Sequence, residues 1–326
     1  MTDLSTTFAG LRLKNPFIVS SSGLTDTAVK CRQLEDAGAG AVVLKSIFEE
    51  QIMQEHAHWY DPSNAEGSDY LSTYLRAHSL DQHIGLIREA KRVCTIPVIA
   101  SINCSTRSEW AEYAGFVEDA GADALELNIM EVQTAMDYEY GTYEQRHIEV
   151  LQRVRKFVHL PIIMKLGMNL TNPVALVNQL CANGAAGVVM FNRPYRPDIN
   201  IDTGNFHAGE LWTRLSDICE SLRWVGICSA RIPHMDYAVS GGVHDGWAAT
   251  KALLAGSSAV EVCTTLYWNG PQRLRAMAEQ LAQWMEERGY ESIGQFKGRM
   301  NMDAAGGHRF YERTQFMKYF SGYVKN

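Results

Sequence analysis

Leu34–Lys45 reads LEDAGAGAVVLK, Val117–Asn128 reads VEDAGADALELN and Leu180–Asn192 reads LCANGAAGVVMFN. Each stretch closes an amphipathic segment on a glycine, turns, and enters an apolar run that ends in a polar residue. A glycine suits the helix C-terminus because it adopts the left-handed conformation without a Cβ penalty. An apolar run without alternation suits a strand covered on both faces, as in a parallel sheet clad by helices. Eight such runs are expected as strands: Phe17–Ser22, Ala41–Ile47, Pro97–Asn103, Ala124–Met130, Ile162–Met168, Gly187–Asn192, Met235–Ser240 and Ala259–Thr265. Polar residues end nearly all of them, as though they converged on one mouth. The expected fold is therefore α/β, a TIM (β/α)8 barrel with function at the strand C-terminal ends. A doubly wound open sheet is the competing architecture.

Two segments interrupt the rhythm, giving long insertions after strands 2 and 6: Glu49–Leu80, and Arg193–Pro233 with a helix expected around Ser216–Ala230. Connections this long usually serve as lids or interfaces. An aromatic-rich C-terminal extension runs over about residues 300–326 and is expected to dock on the body or on a partner. No linker composition divides the chain, so residues 1–326 are read as a single domain. The net charge of −7 argues against a sequence-independent grip on nucleic acid. No apolar run is long enough for a membrane span, and the N-terminus has no signal-peptide pattern. Seven scattered cysteines without a CxxC read as reduced thiols in a cytoplasmic protein, not as disulfides or a metal cradle.

Lys45 and Lys165 each stand in an apolar run, VVLKSI and IIMKLGM. A buried ammonium needs an anion, an acceptor or an exit to solvent. The plain reading pairs one of them with an internal carboxylate such as Glu126. Together with Asn103, Asn128 and Asn192 at strand ends, the lysines point to a polar, electron-rich ligand. Gly241-Gly242 follow a strand and open a helix, and Cys263-Thr264-Thr265 end the eighth strand. That is where barrels of this kind bind phosphate. The three serines Ser20–Ser22 before Gly23 leave room for a flat ring, or form an ordinary hydroxyl turn.

The motifs LKNPFIVSSSG, AGAGAVVLKSI, PVIASINCS, EWAEYAGFVEDAGADALELN, PIIMKLGMN, GAAGVVMFN, SGGVHDGWAATKALLAGSSAVEVCTTLYWNGP and GYESIGQFKG follow one another from about Leu11 to Gly298. In this order they resemble the dihydroorotate dehydrogenase family, and also the flavin domain of dihydropyrimidine dehydrogenases. The resemblance implies an FMN-dependent dehydrogenase acting on CH–CH groups in pyrimidine metabolism, with FMN at the barrel mouth. It implies Ser20 and Ser21 beside the flavin, Lys45 and Asn128 reaching flavin and substrate, and Lys165 at the flavin N1/O2 edge. Asn192 would approach the substrate. Gly241, Gly242, Cys263 and Thr264 would hold the phosphate, with Cys263 where a glycine is usual. A small-molecule substrate, a soluble electron acceptor or separate electron-transfer subunit, and a homodimer are the implied partners.

One part of the pattern is missing. The family follows its Asn128 equivalent with a Ser-Cys-Pro-Asn-like loop carrying the base, whereas here Ile129-Met130-Glu131-Val132 follow. Tyr138, Tyr140 or Glu131 are candidate replacements, since phenols and carboxylates act as general acids and bases when suitably placed. Arg193, where a small hydroxyl residue is usual, could grip a substrate carboxylate or phosphate. A chain that binds FMN with a different substrate or with little turnover, a flavin-binding sensor or store, and a barrel for another phosphorylated ligand are the alternatives.

Overall fold

The apolar runs become eight parallel strands that close on themselves in the computed structural model. It describes residues 2–48, 65–103, 110–304 and 306–314. An antiparallel hairpin, β1 (Thr6–Phe8) and β2 (Leu11–Leu13), precedes the barrel. The barrel strands are β3 (Phe17–Val19), β4 (Ala41–Val43), β6 (Val98–Asn103), β7 (Ala124–Ile129), β8 (Ile162–Leu166), β9 (Gly187–Met190), β12 (Asp236–Ser240) and β13 (Ala259–Val262). They pair in chain order, and β13 returns to β3 through Val260↔Phe17. The competing open sheet is thereby excluded.

The glycines of the three repeated stretches do what their positions demand. Gly38, Gly121 and Gly184 have φ of +110°, +90° and +87°, each turning a helix end into the next strand. The observed strands are shorter than the apolar runs. The second run breaks after Val43 and resumes as the two-residue β5 (Ile47–Phe48), which pairs with the end of β6. Ser20–Ser22, Gly167-Met168, Phe191-Asn192 and Cys263–Thr265 likewise leave the ladder, and they form the rim.

Side chains alternate across each strand, so every second residue points inward. Ile18, Val43, Ile99, Ala124, Ile163, Val189, Ala238 and Ala259 fill the lower interior and pack on Phe8 and Leu13 of the hairpin. The hairpin seals the base of the barrel. A Cβ at Gly187 would stand 3.1 Å from the Phe8 ring, which shows how closely it is seated. Two residues further along the same strands the inward positions turn polar: Ser20, Ser101, Glu126, Lys165 and Glu261, all buried.

Both interruptions differ from a plain loop. Residues 49–64 lie outside the described residues, but from Ala65 the second connection is a helix running to Val93. Its polar composition hid that helix. The other connection begins with an exposed hairpin, β10 (Pro197–Asn200) and β11 (Asn205–Ala208), and ends in the helix Ile218–Arg231, close to the expected one. The tail docks on that helix as far as it is described. A Cβ at Gly226 would stand 2.3 Å from the Tyr311 ring, and Met302 N donates to the Gly226 carbonyl at 3.0 Å. Among the described residues no helix is long and apolar enough to cross a membrane.

Candidate active site

A cleft of about 170 Å³ opens at the strand C-terminal ends. Ser20, Ser21, Lys165 and Glu261 form its floor, Asn192 and Arg193 one wall, and Gly241, Gly242, Cys263 and Thr264 the far end. The two expected lysines part company here. Lys45 is exposed, so it takes the exit to solvent, and it is not among the cleft-lining residues. Lys165 is buried and takes the anions: its Nζ lies 2.6 Å from Glu261 Oε2 and 3.4 Å from Glu126 Oε1.

That triad is electrostatically lopsided. Burial opposes the charge on Lys165, but the two carboxylates outweigh it and raise its pKa. Burial and the neighbouring Glu261 raise Glu126 well above the usual carboxylate range, against the pull of Lys165. Burial also disfavours charge on Glu261, yet Lys165 and hydrogen bonds from Glu126 and Ser20 hold its pKa down. These opposite shifts favour a cationic lysine beside a carboxyl pair that shares one proton, with Glu126 the more readily protonated partner. Two like charges so close cannot both ionise cheaply in a buried site.

At the far end Gly241 and Gly242 have φ of +85° and +73°, which only glycine adopts readily. A Cβ at Gly242 would collide with Ile218 N at 2.4 Å, whereas one at Gly241 would meet nothing within 4 Å. Thr264 Oγ1 accepts from Thr213 N at 3.3 Å and from Thr213 Oγ1 at 3.0 Å, so its own hydrogen remains for another acceptor. His244 Nε2 supports Thr213 Oγ1 at 3.0 Å, and burial lowers the His244 pKa. Trp268 stacks on His244 with ring centroids 5.2 Å apart.

The structure gathers Ser20, Ser21, Lys165, Asn192, Gly241, Gly242, Cys263 and Thr264 around one space. Asn128 is buried beside it and accepts from Asn192 Nδ2 at 3.0 Å. Arg193 reaches the cleft with its guanidinium already committed to Asp217 at 2.9 Å and to the Glu210 carbonyl. The three candidate bases are not among the lining residues. Glu131 pairs with Arg146, Tyr138 accepts from Tyr143 N at 3.2 Å, and Tyr140 is 96% exposed. Tyr140 instead borders an outer groove with Glu144 and Gln179. His147 is wholly buried, its Nδ1 2.8 Å from the Tyr143 carbonyl oxygen, and so is a packing residue. Cys104 lies outside the described residues.

Sequence reasoning missed Glu261, Thr213, His244 and the serines Ser46 and Ser101. Glu261 carried the same signal as Lys165, a charge inside an apolar run (AVEVC), and could have been found by it.

With this geometry the cleft can hold a planar, anionic-tailed cofactor, its tail at the paired glycines and its polar edge over Lys165. Known dehydrogenases resemble the chain along most of its length. The catalytic subunit of dihydroorotate dehydrogenase B (NAD(+)) from Thermoplasma volcanium is 28% identical over 308 residues, covering 91% of this chain and 98% of the relative. The chain is similar to the dihydroorotate dehydrogenases along most of its length. The corresponding subunit from Methanosarcina acetivorans is 29% identical over 305 residues, covering 89% of this chain and 93% of that one. PreA, a subunit of the NAD-dependent dihydropyrimidine dehydrogenase of Escherichia coli K12, is 26% identical over 320 residues, covering 92% and 77%. No family model matches the chain. Beside these dihydroorotate dehydrogenases, the closed barrel is the fold expected of the resemblance.

Proposed function

We propose that the cleft holds FMN and that the chain is an FMN-dependent oxidoreductase. Hydride would pass between the flavin and the C–C bond of a dihydropyrimidine such as dihydroorotate. The observation that carries this reading is the joint placement of a buried cation, Lys165, at the floor of the cleft and two left-handed glycines with a donor-ready Thr264 at its end. Paired glycines and hydroxyls suit a phosphate, and a cation suits the flavin edge that gains charge on reduction. Ser20 and Ser21 would lie beside the ring, and Asn128 and Asn192, already bonded to each other, would present amide groups to the substrate.

The relatives named as catalytic subunit and PreA subunit support electron exit through a separate subunit. The exposed Ile199, Ile201 and Phe206 of the β10–β11 arm support a homodimer. Free cysteines, among them buried Cys31, Cys94 and Cys228, favour a cytoplasmic setting. Anaerobic mixing of FMN-loaded protein with dihydroorotate and dihydrouracil tests the function: bleaching of the flavin bands is expected. A preparation that retains no FMN after reconstitution overturns the reading.

A second reading is FMN chemistry on a different substrate, with Arg193 standing where the resemblance expects a small hydroxyl residue. Its guanidinium is tied to Asp217 and the Glu210 carbonyl, so it closes the wall rather than offering a free fork. FMN retention with bleaching by neither dihydropyrimidine would select it.

A further inference from the structure

Among the described residues, the loop after β7 places no base in the lining of the cleft, and the one thiol there, Cys263, is pushed towards its protonated form by burial. A continuous line of hydroxyls nevertheless leads out of the cleft into the barrel. Ser21 lines the cleft, and its Oγ is 2.9 Å from Ser46 Oγ. Ser46 Oγ is 2.7 Å from Ser101 Oγ, and Ser101 donates to Glu126 Oε1 at 3.4 Å. Ser101 and Glu126 are 0% and 1% exposed, so the line itself runs inside the barrel, while Glu261, the partner of Glu126, stands on the cleft floor. The titratable groups facing Glu126 are Lys165 from β8 and Glu261 from β13, and β6 offers only the Ser101 hydroxyl.

We propose that the Glu126–Glu261 pair holds one proton at rest and is the terminal acceptor of the substrate proton, reached through Ser21, Ser46 and Ser101. This rests on the FMN reading above and supplies the base it lacks. Oxidising a CH–CH unit breaks two C–H bonds. One hydrogen leaves with both electrons as hydride to the cofactor. The other leaves as a proton to Ser21 while its bonding pair closes the C=C bond. Each serine accepts a proton on one side and gives its own on the other. Glu126 receives the last one and passes its resting proton to Glu261. The pair ends with both carboxyls neutral, so Lys165 is left uncompensated opposite the negative charge that hydride brings to the cleft. Proton and hydride thus leave the substrate by separate routes and meet again as balanced charges.

The path can be tested without cofactor. Infrared spectra of the full chain should show a buried carboxylic-acid band that Glu126→Gln removes. In deuterated buffer, Ser46→Ala should keep that band and slow its deuteration at least several-fold, and Ser46→Thr should restore the native rate. With FMN bound, Ser46→Ala should slow flavin reduction by dihydroorotate roughly 10²-fold, the scale of a lost general base. It should leave the equilibrium proton uptake on reduction unchanged. The double variant Glu126→Gln/Glu261→Gln should take up one proton fewer than native. Absence of the carboxylic-acid band, native deuteration in Ser46→Ala, or native uptake in the double variant each overturns the proposal. If FMN fails to bind, the cofactor reading falls on its own, and the deuteration rates still decide the path.

Discussion

A lysine between two glutamates is the residue-scale fact from which most of this chemistry follows. Lys165 was legible as unusual because an ammonium in an apolar run must find compensation. One answering carboxylate, Glu126, was named from the sequence; the nearer one, Glu261, was not, because it lies far off in sequence and meets Lys165 only when the barrel closes. Lys45 carried the same signal and proved exposed. It stands past the end of its strand, where a side chain reaches solvent as easily as the interior. Removing one partner of a buried ionic cluster strands the others, so Lys165→Met is expected to cost about 3–5 kcal/mol in urea unfolding. Adding Glu126→Gln and Glu261→Gln to that variant should recover part of the loss, because the triple variant buries no unpaired charge.

Among elements, the strands were readable and their ends were not. Apolar runs mark where a ladder can form, but the ladder stops where neighbouring strands diverge at the mouth, and no single strand encodes that. The helix Ala65–Val93 escaped notice because DYLSTYLRAHSLDQH has little apolar periodicity. The Tyr-rich loop was read as a supplier of a base, yet its groups bond to one another and to the following helix. The Gly-Gly turn was read as a cradle candidate, and its two glycines have different reasons for being glycine. Gly242→Ala combines a left-handed φ with a collision against Ile218, whereas Gly241→Ala meets only the φ penalty of about 1–2 kcal/mol. Thermal melts should therefore show the larger loss for Gly242→Ala, and fluorescence titration should show weakened FMN binding for both.

For the molecule as a whole, three histidines make stability depend on acid. Burial lowers the pKa of His83 from 6.5 to about 4 and lowers those of His147 and His244 as well. Below pH 6.5 the unfolded chain takes up protons that the folded chain declines. Stability is therefore lost as pH falls from 6.5 towards 4, for His83 by up to about 3 kcal/mol at 1.36 kcal/mol per unit. Urea midpoints should drop across that window, and His83→Gln, which loses the contact with the Tyr113 hydroxyl at 2.7 Å, should flatten the slope. On the outside, if the proposed dimer forms through the β10–β11 arm, replacing Ile199 and Phe206 by serine should lower the sedimentation coefficient to that of a monomer while leaving the melt unchanged. Inside, the hairpin carrying Phe8 and Leu13 makes the barrel a stoppered well. Among the described residues the stopper closes the lower side of the carboxyl pair, so whatever occupies the mouth decides when that chamber is open.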